Sequence, residues 1–231
     1  MKTAITPTRR AQTVTDNGES SHKLNIRIAA PAMRTAVFEI EGTAPLVVHR
    51  FSEKAKKSIR DNMTGESKPG SKRKREKVVP KTEYEAARYR SRDGWDGFNA
   101  ASIRCALISA CRLCDFKMTL AKLSLFVQAD GYDAKEPTIN LVRIHGKPRM
   151  LESTVRVANG GMMLCWRPSY DEWKAKLRIV FDADQFSTMD VANLLSRVGT
   201  QVGIGEGRPD SRDSAGMGWG TFRLLGHHSL K

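Results

Sequence analysis

The glycine-rich stretch near the end of the chain, residues 202–225, reads Val-Gly-Ile-Gly-Glu-Gly-Arg-Pro-Asp-Ser-Arg-Asp-Ser-Ala-Gly-Met-Gly-Trp-Gly-Thr-Phe-Arg-Leu-Leu. A helix-like segment precedes it and a strand-like segment follows it. Glycine permits positive φ and exposes backbone N–H groups, so this loop is predicted to wrap a ligand closely. No Gly-Lys-Ser or Gly-Lys-Thr follows, which excludes a Walker A loop. A dinucleotide fingerprint follows a strand and opens a helix. This stretch follows a helix and opens a strand, so it is not such a fingerprint.

The segments on either side of this loop set the fold class. Residues 173–181 alternate apolar and basic side chains, as a half-buried strand does, and residues 35–41 alternate similarly. Helices are predicted from Asn99 and from Ser187, each of which can cap an apolar period, and Gly199 is expected to stop the second. With strands at 123–129 and 218–225, the order is strand, helix, strand, strand, helix, strand. This order predicts an α+β protein with a ferredoxin-like, RRM-like βαββαβ core.

Two insertions interrupt the predicted core. One spans about 50–92, after the first strand, and contains a helix over 53–62 and a possible helix over 82–90. The other spans 138–167, between the second and third core strands, and has short extended segments separated by glycine turns, which indicates β-hairpins. Residues 1–33 show no apolar period and are predicted to be a flexible basic tail. Residues 34–231 are then a single domain.

The formal net charge of +14 favours an anionic polymer as a partner, most often nucleic acid. Residues 50–92 hold fifteen lysines and arginines against six acids, so this insertion carries +9. Phosphate contacts are predicted for it and for Arg104, and Tyr84 and Tyr89 are available for stacking on bases. The predicted contacts are Arg50, Lys54, Lys56, Lys57, Arg60, Arg73, Lys74, Arg75, Lys77, Arg88, Arg90, Arg104, Gly203, Gly205, Gly207, Arg208, Arg212 and Trp219.

Catalytic motifs are sparse in this sequence. His49 and His145 are the candidates for a general acid or base, and neither lies in a recognisable motif. Four cysteines in apolar surroundings are expected to be buried and reduced, because Cys111-x-x-Cys114 has no second pair to complete a zinc site. No metal and no cofactor are expected. The chain lacks a run of about 18 apolar residues, and we expect a soluble, cytoplasmic protein of a bacterium or a phage-infected cell.

Three segments resemble the RAMP superfamily, the repeat-associated RNA-binding proteins of CRISPR effector complexes. They are the strand 37–41 followed by Pro45-Leu-Val-Val-His-Arg, the helix entry Gly97-Phe-Asn-Ala-Ala-Ser-Ile-Arg-Cys-Ala-Leu, and the glycine loop with its final strand. The sequence as a whole also resembles phage and prophage proteins. The resemblance implies a sequence-tolerant binder of single-stranded nucleic acid, RNA more than DNA. It also implies a homo-oligomer, or a subunit of a larger complex, that assembles side by side along the strand.

Two other functions stay open at this stage. One is a metal-independent RNA endonuclease that uses His49 or His145. The other is a structural or assembly protein of a phage particle.

Overall fold

The computed structural model describes residues 29–66, 77–156, 161–211 and 216–230. All of its helices and strands belong to one compact unit, Pro31–Lys231. The predicted tail lies outside the described residues as far as residue 28. Among the described residues, no helix combines the length and the apolar character that crossing a membrane would require.

The chain alternates between short strands and short helices. In chain order, the elements are β1 (Met33–Gly42), β2 (Leu46–Val47), α1 (Glu53–Met63), α2 (Pro80–Ala87), β3 (Tyr89–Arg90), β4 (Asp96–Asn99), α3 (Ala100–Ala110), α4 (Met118–Ser124), β5 (Leu125–Gln128), β6 (Gly131–Tyr132), β7 (Asn140–Arg143), β8 (Pro148–Arg156), β9 (Met162–Tyr170), β10 (Lys174–Asp182), α5 (Thr188–Arg197) and β11 (Phe222–Leu230). The molecule is therefore a mixed helix and strand protein.

The main sheet has the strand order β11-β1-β10-β5, and every pair in it is antiparallel. β1 and β5 both run antiparallel to β10, so they are parallel to each other with one strand between them, and α3 lies between them in the chain. β10 and β11 are related in the same way across β1, with α5 as the connection. The central strand β1 thus pairs with strands from the far end of the sequence.

One face of the main sheet carries the core. The alternation predicted for residues 173–181 is confirmed, because Ala175, Leu177 and Ile179 are buried. They pack in one apolar cluster with Phe38 of β1 and Leu107 of α3. Burial of such side chains contributes about 1.5–3 kcal/mol each. Hydrogen bonds between the strands alone would leave this apolar face exposed to water, so the two helices α3 and α5 are needed to cover it.

The opposite face of the main sheet is polar and internally paired. Lys174 contacts Glu41 at 2.9 Å, and Lys176 contacts Glu39 at 3.1 Å. Arg223 donates to Glu41 as well, at 2.5 Å. These are cross-strand neighbours, so their charges cancel locally. This face therefore has little positive charge left over for an anionic ligand.

The two predicted helix starts are confirmed by their caps. Asn99 Oδ1 accepts from the Ala101 amide at 2.9 Å. Ser187 Oγ accepts from the Asp190 amide at 3.1 Å, while the Asp190 carboxylate accepts from the Ser187 amide at 2.8 Å. This reciprocal pair is a capping box, which satisfies amides that a helix start leaves open.

The predicted stop of the second helix at Gly199 is wrong. After Arg197 the chain continues through a π-helical turn, Val198–Val202, and Gly199 lies inside it. A Cβ at this glycine would lie 2.1 Å from the Phe222 carbonyl oxygen. Glycine is needed here for a close approach to β11 and does not end the helix.

The remaining strands form two smaller sheets. β2, β9 and β8 form the hairpin sheet, in the order β2-β9-β8. The predicted hairpin is present, but its strands are longer than expected. The segment 139–144 does not belong to it, because β7 pairs with β4 in a second small sheet of order β3-β4-β7-β6. Part of the predicted basic insertion is thus joined to part of the predicted hairpin insertion.

Candidate nucleic-acid interface

The glycine loop, residues 203–220, folds back on its own chain. All six of its glycines have positive φ, which L side chains rarely adopt. A Cβ on Gly205 would lie 2.5 Å from the Val47 carbonyl oxygen, and one on Gly220 would lie 1.7 Å from that of Ile204. The glycines therefore let the loop pack closely against β2 and against itself.

Most of the loop amides that the structure describes are already hydrogen-bonded within the protein. Ile204 donates to Gly220, Gly220 donates to Pro45, and Glu206 donates to Val47, at 2.8–3.0 Å. Four further amides are used in the same way, those of Gly203, Asp210, Met217 and Trp219. The sequence predicted that these N–H groups grip a phosphate backbone. The structure corrects that prediction for these seven amides, because each already has a carbonyl acceptor.

A groove of about 600 Å³ opens between the glycine loop and the outer side of α3. We call it the glycine-loop groove. Its floor is the run of small side chains on α3, and its walls are the loop, the residues that follow β2, and Tyr89 of β3. The lining residues are Val48, His49, Tyr89, Phe98, Asn99, Ala101, Ser102, Cys105, Ala106, Ser109, Val202, Gly203, Ile204, Gly205, Glu206, Arg208 and Asp210.

His49 and Glu206 meet at one wall of this groove. His49 Nδ1 lies 3.6 Å from Glu206 Oε2, and Arg167 Nε donates to the same oxygen at 3.1 Å. Burial, reinforced by the Arg167 charge, lowers the pKa of His49 below its ordinary value, and Glu206 only partly opposes this. The imidazole is therefore neutral near pH 7. Sequence reasoning missed Glu206 and Arg167, because no local motif links them to His49.

Arg208 and Asp210 also line the groove. Arg208 Nη1 donates to the Gly205 carbonyl oxygen at 3.2 Å, which holds the guanidinium against its own loop. Asp210 accepts from the Ser109 hydroxyl and from Arg112 Nη2, the latter at 2.8 Å. These two partners keep the Asp210 pKa below its ordinary value. The loop is thus fastened to the end of α3 through a carboxylate.

The basic insertion divides into paired and unpaired charges. Arg50 was predicted to contact phosphate, but its side chain is only 2% exposed and lies 3.5 Å from Asp133 and from Glu136. That prediction is wrong, since a buried arginine among acids cannot reach a polymer. Lys56 contacts Glu136 as well. These contacts attach the start of the insertion to the loop between β6 and β7.

Three other predicted contacts are occupied within the protein. Arg88 and Arg90 both face the Asp96 carboxylate, and Arg88 also contacts Glu85 at 3.1 Å. Arg104 donates to the Leu125 carbonyl oxygen at 2.9 Å, beside the end of α4. Their positive charges are therefore balanced or used locally.

Several of the insertion's remaining basic side chains lie on α1. None of the α1 side chains is buried, which is unusual for a helix in a compact unit. Lys57 and Arg60 on α1, and Lys77 and Lys81 around the start of α2, are exposed and form no ion pair among the described residues. Lys54 is also exposed. Arg73, Lys74, Arg75 and Arg212 lie outside the described residues.

A second, more apolar groove of about 370 Å³ separates the insertion from β9. α1 and α2 form one side of it, and Met163 and Trp166 lie on the other. His49 lines both this groove and the glycine-loop groove. Tyr89, one of the two predicted stacking residues, lines only the latter, while Tyr84 has Arg88 over its ring at 5.5 Å. The insertion and the glycine loop therefore adjoin at His49.

The other predicted site residues lie elsewhere. Trp219 packs on Gly207, where an added Cβ would approach its ring to 2.5 Å, so it supports the loop. His145 lies beside Lys174 in a separate groove. The two histidines are therefore not brought into one site. Cys105 and Cys114 are exposed, so the predicted burial is wrong for these two, whereas Cys111 and Cys165 are buried.

Within the described ranges, no three side chains of histidine, cysteine, aspartate or glutamate lie close enough to hold a metal ion together. No family model matches the chain, and no curated protein matches it.

Proposed function

We propose that this protein binds single-stranded nucleic acid, RNA more than DNA, through the phosphate backbone along the exposed face of α1 and the start of α2. The observation that carries the proposal is the exposure of α1 to solvent. This helix buries no side chain, and it lies in the segment that holds most of the net charge. A helix that does not contribute to the core and presents unpaired lysine and arginine fits a polyanion.

Other basic regions of the protein differ from α1, because their positive charges are paired with carboxylates. On the open face of the main sheet, Lys174 and Lys176 are neutralised by glutamates. Arg50 and Arg88 are neutralised by acids within the insertion. Among the described residues, α1 is a basic region whose charges are not all consumed by neighbours. A polyanion gains most where it does not have to compete with a carboxylate.

We further propose that the main sheet, with α3 and α5, is the ferredoxin-like core on which RNA-binding proteins of the RAMP type are built. Two features support this. The units β1-α3-β5 and β10-α5-β11 each link parallel strands that have one strand between them, which is the split βαβ arrangement. A glycine loop also precedes the last strand of the sheet.

The test is binding of a fluorescent 12-nucleotide RNA at several salt concentrations. A single-stranded ligand gives a slope of about 0.7 in log affinity against log salt for each phosphate contacted. The double variant Lys57→Glu/Arg60→Glu should weaken binding at least about tenfold and reduce the slope by roughly 1.4, equivalent to two contacts.

The matched control is Lys117→Glu/Lys122→Glu. These exposed lysines on and beside α4 form no ion pair in the described part of the chain, and their reversal changes the net charge by the same amount. A flat salt response of the native protein, or an equal loss in both double variants, contradicts the proposal. Recovery of intact RNA after incubation with the protein and a metal chelator distinguishes binding from metal-independent cleavage.

A further inference from the structure

We propose that the glycine-loop groove binds a nucleobase that carries an exocyclic amino group, cytosine in the first place, rather than a phosphate. This inference rests on the proposed function, in that the base belongs to the strand held by α1. It assigns different parts of one nucleotide to the two surfaces. The phosphates lie on α1, and an unstacked base enters the groove.

The charge of the groove argues against phosphate. The arginine in the lining is Arg208, whose guanidinium is held by the Gly205 carbonyl oxygen. The two carboxylates in the lining, Glu206 and Asp210, already have Arg167 and Arg112 as partners. His49 adds no charge near neutral pH, since its imidazole is neutral there. Among the loop residues of the lining, the amides of Gly203, Ile204, Glu206 and Asp210 already donate to carbonyl groups. A phosphate here would lie beside two carboxylates, whereas a neutral polar ring would not be repelled by them.

The hydrogen-bonding groups of the groove select the kind of base. Glu206 Oε2 is used by Arg167, while Glu206 Oε1 has no hydrogen-bond partner among the residues that the structure describes. A carboxylate oxygen only accepts, so it requires a donor such as the amino group at position 4 of cytosine. Uracil has a carbonyl oxygen at that position, which the carboxylate would repel.

The walls suit a flat ring. The Tyr89 side chain packs against the core and also lines the groove, so its exposed part can contact a base. The floor of the groove is smooth, because α3 contributes the small side chains of Ala101, Ser102 and Cys105. Asn99 uses its oxygen to cap α3, which leaves its NH₂ group as a donor at the rim. A volume of about 600 Å³ is ample for one nucleobase.

The decisive comparison is between the RNAs C12 and U12, because both are pyrimidine strands of equal length and charge. The native protein should bind C12 about tenfold more tightly, a difference of about 1.4 kcal/mol. Glu206→Gln should reduce the ratio toward one. Cys105→Trp fills the groove from an exposed helix position, and it should remove the preference while leaving the salt slope unchanged.

Leu123→Trp is the control for adding a surface tryptophan, because Leu123 is 74% exposed on α4 and does not line the groove. It should keep the native ratio. The inference is overturned if the native protein binds C12 and U12 equally, or if Cys105→Trp keeps the native ratio. Equal binding of an abasic 12-mer would overturn it as well.

Binding of free cytidine and of free uridine distinguishes this inference from the proposed function. Saturation-transfer NMR at 1–5 mM nucleoside, about the affinity range of one base, measures that binding. Cytidine binding that Cys105→Trp abolishes supports the groove even if no RNA binds, and the source of the base is then a free nucleoside. Strand binding with no base dependence supports α1 alone and overturns the groove assignment.

Discussion

Alanine at Gly220 and at Gly218 gives a paired test of how the glycine loop is built. Both glycines have similar positive φ, +67° and +75°. They differ in the space around them, because a Cβ on Gly218 meets nothing within 4 Å, whereas one on Gly220 would lie 1.7 Å from the Ile204 carbonyl oxygen. The two substitutions therefore share the backbone strain and differ in the steric clash.

The magnitudes follow from these contacts. Positive φ costs an L residue about 1–2 kcal/mol, and the lower value, about 1 kcal/mol, is the whole expected effect of Gly218→Ala. Gly220→Ala must also move the backbone that accepts from Ile204 and donates to Pro45. Losing these two hydrogen bonds adds about 1 kcal/mol each, for a total of about 3 kcal/mol.

Thermal unfolding followed by circular dichroism measures the difference. For a chain of this size, 1 kcal/mol corresponds to about 2–4 °C in Tm. Gly218→Ala should therefore lower Tm by about 3 °C and Gly220→Ala by about 9 °C. Equal shifts would refute the reasoning, because they would mean that the loop relaxes freely around an added methyl group.

Two further predictions concern buried charge. Burial and Arg167 lower the pKa of His49 in the folded state, so the unfolded chain takes up a proton first as the pH falls below about 6.5. The free energy of unfolding therefore falls as the pH falls through this range. Urea titrations at pH 7.5 and 5.5 should show that His49→Gln loses less of this free energy between the two pH values than the native chain does. Arg50→Met leaves the Asp133 carboxylate, 2% exposed, without its cation, and should cost about 3–5 kcal/mol in the same titrations. Arg223→Ala, which breaks an exposed pair, should cost at most about 1 kcal/mol, and similar losses in both arginine variants would contradict the burial argument.

Local sequence signals predicted the local structure well. α1 ends within one residue of its predicted end, and Asn99 and Ser187 cap the helices expected of them. β10 shows the predicted alternation of buried and polar side chains. Each of these features depends on residues close together in the chain, which is why periodicity and capping rules detect them.

Features that depend on distant residues could not be predicted in this way. Arg50 looked like a phosphate contact because its acidic partners, Asp133 and Glu136, lie more than 80 positions away. Glu206 reaches His49 from the far end of the chain. The pairing of β3 and β7 with the same strand, β4, joins two regions that looked like separate insertions. Composition located the basic segment, but only the folded chain shows which of its charges are already neutralised.

The pairing of β1 with β11 has a consequence for the timing of folding. Met33–Gly42 is made early, yet one of its two neighbours in the sheet is Phe222–Leu230. At about 5–20 residues per second of synthesis, β1 waits roughly 10–40 s for that neighbour. The other neighbour, β10, emerges only shortly before. A nascent chain of this protein therefore carries an unpaired strand with one apolar face through most of its translation. A chaperone that covers β1 during that interval would raise the yield of folded protein.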